Sequence, residues 1–140
     1  MIPLRLVLDT NVVISAALKQ DGLQRTVLVL ALTRPARLYV SMPILAEYKR
    51  VLARRELRIR KGLRQQLLQL VAKRSYSVRP ARRLRVTSDP DDNIFLECAD
   101  AARADYLVTG NLKQFPRYWK KTKIISAREF MNLVAPHLLS

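Results

Sequence analysis

Residues 4–11 read LRLVLDTN, and this stretch decides the fold. Leu6, Val7 and Leu8 form an apolar run that stops at an acid, Asp9. A helical pattern follows at once through Val12, Val13, Ala16 and Ala17. The stretch is therefore a buried strand, a carboxylate at its carboxyl end, and a helix leaving the same point. In open α/β sheets, side chains at strand ends line the crevice where ligands bind. A carboxylate buried there needs a cation or hydrogen-bond donors, because an unpaired buried charge is costly.

Working outward, the same alternation of short apolar strands and helices recurs. Residues 2–8 form the first strand, about Asn11 to Lys19 a helix, and about Gln24 to Leu32 a second helix after the Asp21–Gly22 break. Leu38–Val40 is a strand, and Ser41 and Pro43 open the helix SMPILAEYKRVLAR. Its Ile44, Leu45, Tyr48, Val51 and Leu52 fill a stripe about 120° wide, with Glu47 about 40° from Val51 at its edge. The plain reading of Glu47 is a first-turns glutamate favoured by the helix dipole. Glu56–Lys73 reads as a basic helix or helix pair interrupted near Gly62, and residues 73–85 as a loop with a short extended piece.

After Pro90, a helix capped by Asp91, Asp92 or Asn93 carries Phe95, Cys98, Ala99 and Ala102 on one face. Asp92 projects onto that inward face, and Glu97 and Asp100 onto the opposite one. Tyr106–Thr109 is another strand, ended by Gly110 and Asn111, so that Asn111 stands where Asp9 stands on the first strand. A basic, aromatic turn leads to a last strand at residues 122–125. Ser126 and Glu129 then form a capping box on the final helix. His137, the single histidine, is read as surface or packing. The element order argues one α/β domain, residues 1–140, with a central, mostly parallel sheet covered by helices on both faces.

Composition narrows the function. Twenty-six Lys and Arg against 11 Asp and Glu leave a formal charge of +15, which points to a polyanionic partner such as nucleic acid. No apolar run approaches the roughly 20 residues of a membrane helix, and the chain opens directly on a strand rather than a signal peptide. The single cysteine, Cys98, makes no internal disulfide, which fits a reducing cytoplasm; it faces inward as core. There is no His/Cys set for zinc and no Gly-rich phosphate loop. Asp9, Glu47, Asp92 and Asn111 are all oxygen donors at strand ends or helix beginnings. Such a set suits Mg²⁺ or Mn²⁺ and, in so basic a protein, phosphodiester hydrolysis.

LDTNVVISA, ILAEYKRVL, DPDDNIFLECADAARADYLVTGN and KIISAREF, in this order, resemble the PIN-domain ribonucleases. Within them the match is to the branch of toxins from toxin–antitoxin pairs (VapC-like). The resemblance spans nearly the whole chain. It implies a three-layer α/β/α single domain, a Mg²⁺- or Mn²⁺-dependent endoribonuclease, a homodimer, and silencing by a cognate antitoxin. By motif position it places the catalytic acids at Asp9, Glu47 and Asp92, with Asp91 the rival for the third place. Asn11 and Thr109 are the implied supports. Many relatives carry aspartate where Asn111 stands, so Asn111 is implied to be a weak ligand. Arg54, Arg58 and Arg60, with Lys113 and Lys120 of the later basic turn, are the candidate RNA contacts.

Two rivals are weighed against this reading. One is a non-catalytic RNA-binding or RNA-processing protein that keeps the fold. The other is a phosphatase of the haloacid-dehalogenase type, which wants a second acid where Asn11 stands. A two-component receiver domain fares no better, because the first strand end lacks paired acids.

Overall fold

The computed structural model describes residues 3–134; His137 lies outside them. Twelve elements follow one another: β1 (Arg5–Leu8), α1 (Thr10–Leu18), α2 (Leu23–Ala31), β2 (Arg37–Val40), α3 (Met42–Leu52), α4 (Lys61–Arg74), β3 (Tyr76–Ser77), α5 (Pro90–Ala102), β4 (Tyr106–Val108), β5 (Tyr118–Trp119), β6 (Thr122–Ile125) and α6 (Ala127–Val134). The strands make one sheet in the order β3-β2-β1-β4-β6-β5. All neighbours are parallel except the β5–β6 edge. The architecture is the expected three-layer α/β/α fold around a mostly parallel sheet.

β1 lies at the centre because its side chains need cover on both faces. Leu6, Val7 and Leu8 are fully buried, and α5 crosses β1, β2 and β4. A parallel strand buried on both faces carries a continuous apolar run rather than an alternating one, as Leu6, Val7 and Leu8 do. The helix starts follow their caps. Ile44 N–H donates to Ser41 Oγ at α3, and Ser126 and Glu129 exchange side-chain bonds at α6.

Several sequence expectations are corrected in detail. The first strand begins at Arg5, not residue 2, and α1 begins at Thr10 with Asp9 as its N-cap. The basic stretch from Glu56 is a 3₁₀ turn (Arg55–Leu57) followed by α4. Gly62 falls in the first turn of α4, where it interrupts nothing. The cap of α5 is Asp89, whose side chain accepts from Asp91 N–H, rather than Asp91, Asp92 or Asn93. Pro90 takes the first helical position, so the cap must precede it. Asn93 instead bonds the backbone of Thr87 in both directions. The basic, aromatic turn contains β5, a two-residue edge strand. Register also moves Asn111. Leu8 pairs with Val108, so Thr109, not Asn111, is the counterpart of Asp9.

Asp100 and Glu97 do more than face solvent. Glu97 accepts from Leu84 N–H at 2.9 Å and ties the 79–85 loop to α5. Asp100 accepts from Trp119 Nε1 (3.2 Å) and pairs with Lys120 (2.9 Å) and Arg82 (3.6 Å). The bond from Lys120 holds the Asp100 carboxyl below its ordinary value. A depressed folded pKa adds stability that is present above the unfolded value, about 4, and is lost as pH falls through the folded one. Asp100→Asn is therefore expected to lower stability at pH 7 by about 1 kcal/mol, modest because both cations are half-exposed and screened. The deficit should shrink in urea melts run below about pH 4; a deficit independent of pH would remove the ion pair as its cause.

Candidate active site

The centre of the site is Asp9, buried at the point where β1 becomes α1. Its N–H donates to Val108 O, which fastens it to β4 (2.9 Å). Oδ1 accepts from Thr10 N–H at 2.7 Å. Oδ2 accepts from Thr109 Oγ1 at 2.7 Å and from Asn11 Nδ2 at 3.2 Å. The other end of the Asn11 amide closes the frame, since its Oδ1 accepts from Gly110 N–H at 2.9 Å. Gly110 leaves room for that approach: a Cβ there would stand 3.3 Å from Asn11 Oδ1, a tight contact the amide would have to yield to. Thr109 Oγ1 also accepts from Asn111 N–H at 3.0 Å, so one hydroxyl links the loop after β4 to the carboxylate.

Glu47 reaches the site from the middle of α3. Its Oε2 accepts from Thr10 Oγ1 at 2.5 Å, and its Oε1 takes Arg50 at 3.0 Å. Arg50 also lies 3.8 Å from Asp91, so one exposed guanidinium spans α3 and the first turn of α5. Asp92 is half-buried in that same turn, while Asp91 is exposed. Below the acids, the buried Tyr48 hydroxyl donates to Leu8 O and anchors α3 to the end of β1.

The acids share one electrostatic field. Burial raises the Asp9 carboxyl above its ordinary value, against the bonds from Thr109, Thr10 and Asn11. Glu47 is raised chiefly by burial and further by the charges of Asp91 and Asp9, with Thr10 and Arg50 opposing. Asp92 is pushed up to about 6, first by burial and then by the charges of Asp9, Asp89, Glu47 and Asp91. Such mutual repulsion among oxygen donors is what a hard divalent cation relieves. By donor chemistry and field, Asp9, Glu47 and Asp92 fit one. They share a field rather than a closed ligand shell: among the described residues no three His, Cys, Asp or Glu side chains gather as an ion-holding group. Glu47 is turned toward Thr10 and Arg50 instead.

The remaining candidates lie farther out. Asn111 is exposed, two residues beyond the counterpart of Asp9. Arg54, Arg58 and Arg60 are exposed on the connection between α3 and α4, and Lys113 is exposed in the 3₁₀ turn directly after Asn111. Lys120 is held by Asp100 and sits 5.9 Å from the centre of the Trp119 ring. Sequence reading missed Thr10, Arg50 and Tyr48. Of these, Arg50 carried a readable signal, the i,i+3 spacing from Glu47. The reach of Thr10 and Tyr48 across about 40 residues of chain needed the fold.

Thr109→Val keeps shape but deletes the donor to Asp9 and the acceptor for Asn111 N–H. With Thr109 fully buried, we expect a loss of about 1–3 kcal/mol in urea unfolding at unchanged m-value. An unshifted midpoint would mean that the Asp9 frame does not depend on this hydroxyl.

Comparison with known proteins places this geometry. No curated protein is similar to the chain in sequence. Among solved structures, it resembles the VapBC2 complex of Rickettsia felis, crystallised with a DNA fragment from the complex's promoter. The TM-score is 0.58 at 18% identity, over 88% of this chain and 98% of the other, which is a likeness of fold. The PIN domain family model matches residues 5–113, from the first residue of β1 to the turn after Asn111. With a buried Asp9 at the head of that match, the chain belongs to the PIN domain family.

Proposed function

We propose that this protein is a metal-dependent endoribonuclease that hydrolyses RNA phosphodiester bonds and serves as the toxin of a type II toxin–antitoxin pair. The observation that carries the reading is the buried Asp9, held by three donors and sharing a repulsive field with Glu47 and Asp92. Membership of the PIN domain family supports nuclease chemistry, and the likeness to a VapBC complex supports an antitoxin partner. The charge of +15 supports RNA as the substrate. No helix among the described residues is long and apolar enough to cross a membrane. In this reading one PIN domain spans residues 1–140, works in the cytoplasm and pairs as a homodimer.

Asp9, Asp92 and Glu47 would hold Mg²⁺ or Mn²⁺, with Asn111 offering a weaker, uncharged oxygen; Asp91 is the rival for the place of Asp92. When bound, the ion supplies charge neutralisation at the phosphate and a more acidic attacking water. The protein's own contribution is orientation. Asn11 and Thr109 fix the rotamer of Asp9, Gly110 lets the Asn11 amide close the frame, and Thr10 holds Glu47. The exposed Arg54, Arg58, Arg60 and Lys113 draw in the RNA backbone. Lys120 shares that role only as far as its bond to Asp100 allows.

The exposed Asn111 and the pairing of Glu47 with Arg50 favour a second reading, a PIN-fold RNA-binding or RNA-processing protein with little activity. Cleavage of a labelled RNA pool separates the two. With Mn²⁺ we expect cutting that EDTA abolishes and that Asp9→Asn lowers by about 100-fold or more. RNA binding without cutting by the folded protein would select the second reading. Asn111→Asp should tighten Mn²⁺ binding in calorimetry, since it adds a charged oxygen; unchanged affinity would remove Asn111 from the ligand set.

A further inference from the structure

A second charged feature lies at the other end of the sheet. β1, β2 and β3 run parallel, and the acids gather where β1 ends. At the opposite pole, where β2 and β3 begin, two contiguous cavities of about 460 and 600 Å³ open side by side. They share Arg34 and Tyr76, and Arg37, Lys73 and Arg74 complete their charged lining. A four-residue strand rises about 13 Å, so this pole is separate from the acid site.

The groove is basic without compensation. No acid lines either cavity, and none of Arg34, Arg37, Lys73 or Arg74 takes part in an ion pair among the described residues. All 11 acidic side chains of the chain lie within those residues, so no hidden one neutralises the groove. The floor is ordered by stacking. The Arg37 guanidinium sits 4.9 Å from the centre of the Tyr76 ring, and Tyr76 leans on Tyr39 at 5.7 Å. A stacked guanidinium keeps its planar edge for hydrogen bonding and loses less freedom on pairing with a phosphate. Both Tyr76 neighbours are already in place, so the groove suits phosphate contacts better than insertion of a base.

We propose that the groove of Arg34, Arg37, Lys73, Arg74 and Tyr76 is a second RNA-backbone site, which anchors a strand at the pole opposite the acids. The proposal rests on the RNA reading above and extends it: the substrate is a strand long enough to touch both poles, and affinity resides partly outside the cleaving site. Arg34 and Arg74 are exposed and form none of the described side-chain bonds, so they can be changed without unpicking the stack.

The test uses the full chain in EDTA, which separates binding from cleavage, and a fluorescent poly(U) of about 20 nucleotides. Arg34→Ala/Arg74→Ala should weaken binding by about 5–10-fold near 0.1 M salt. It should also reduce the slope of log affinity against log salt by about 1.4, two contacts at about 0.7 each. Arg83→Ala/Arg85→Ala removes the same charge from exposed positions outside the groove and should change the slope by less than half as much. Equal effects from both pairs would reduce the groove to net charge and overturn the proposal. So would unchanged binding by the groove pair, or by Arg34→Glu/Arg74→Glu if the first pair folds poorly. Tighter binding of poly-glutamate than of poly(U) by the wild type, with that preference lost in the groove variant, would assign the surface to an acidic protein instead. The two readings fail separately: RNA cleavage by the wild type with binding unmoved by the groove pair overturns this proposal alone, and groove-dependent binding without cleavage overturns the nuclease reading alone.

Discussion

Burying the Asp9 carboxylate is the constraint around which the structure is arranged. The side chain stands at the end of a fully enclosed strand, where an unpaired charge would cost several kcal/mol. The molecule meets that cost with donors from three sources: the backbone of α1, the amide of Asn11, and the hydroxyl of Thr109 from the neighbouring strand. Those donors offset desolvation only in part, and the carboxyl remains raised above its ordinary value. The residual field spreads to Glu47 and Asp92, which is why the crevice favours a positive ligand.

That constraint explains choices elsewhere. Gly110, with no side chain, leaves Asn11 room to approach its N–H. Tyr48 is buried with its hydroxyl on Leu8 O, so α3 cannot slide relative to β1, and Glu47 on the same helix is delivered to Thr10. Arg50 then supplies a cation among the acids, spanning Glu47 and Asp91. The pairing is half in solvent and contributes little stability. Its consequence is orientation, since with the Thr10 hydroxyl it sets where the Glu47 carboxylate points.

Charge in this protein is unevenly spread. Asp9, Glu47, Asp89, Asp91 and Asp92 share one field at the carboxyl end of the central strands, whereas the groove at the opposite pole is lined by cations alone among charged residues. A polyanion would be held broadly by the surface while the local negative field admits it only with a compensating cation. In the proposed nuclease the two features would work together, the surface supplying attraction and the crevice chemistry.

The sequence by itself determined most of the order of strands and helices, though not the two-residue strands β3 and β5, together with the mostly parallel sheet and the candidacy of Asp9, because each rests on local signals. The apolar run Leu6–Leu8 reads as a doubly covered strand, and Ser126 with Glu129 reads as a capping box. Helical phase put Asp92 rather than Asp91 toward the inside, and the structure shows Asp92 half-buried and Asp91 exposed. Tertiary structure decided what pairing register controls. Leu8 opposite Val108 makes Thr109 the neighbour of Asp9 and leaves Asn111 on the rim, a two-residue displacement invisible in a strand's composition. It also decided that Asp100 is a tether rather than a solvated charge, and that Thr10 and Glu47 meet across 37 positions. Contacts between residues distant in sequence carry no periodic signature, so only the folded chain discloses them.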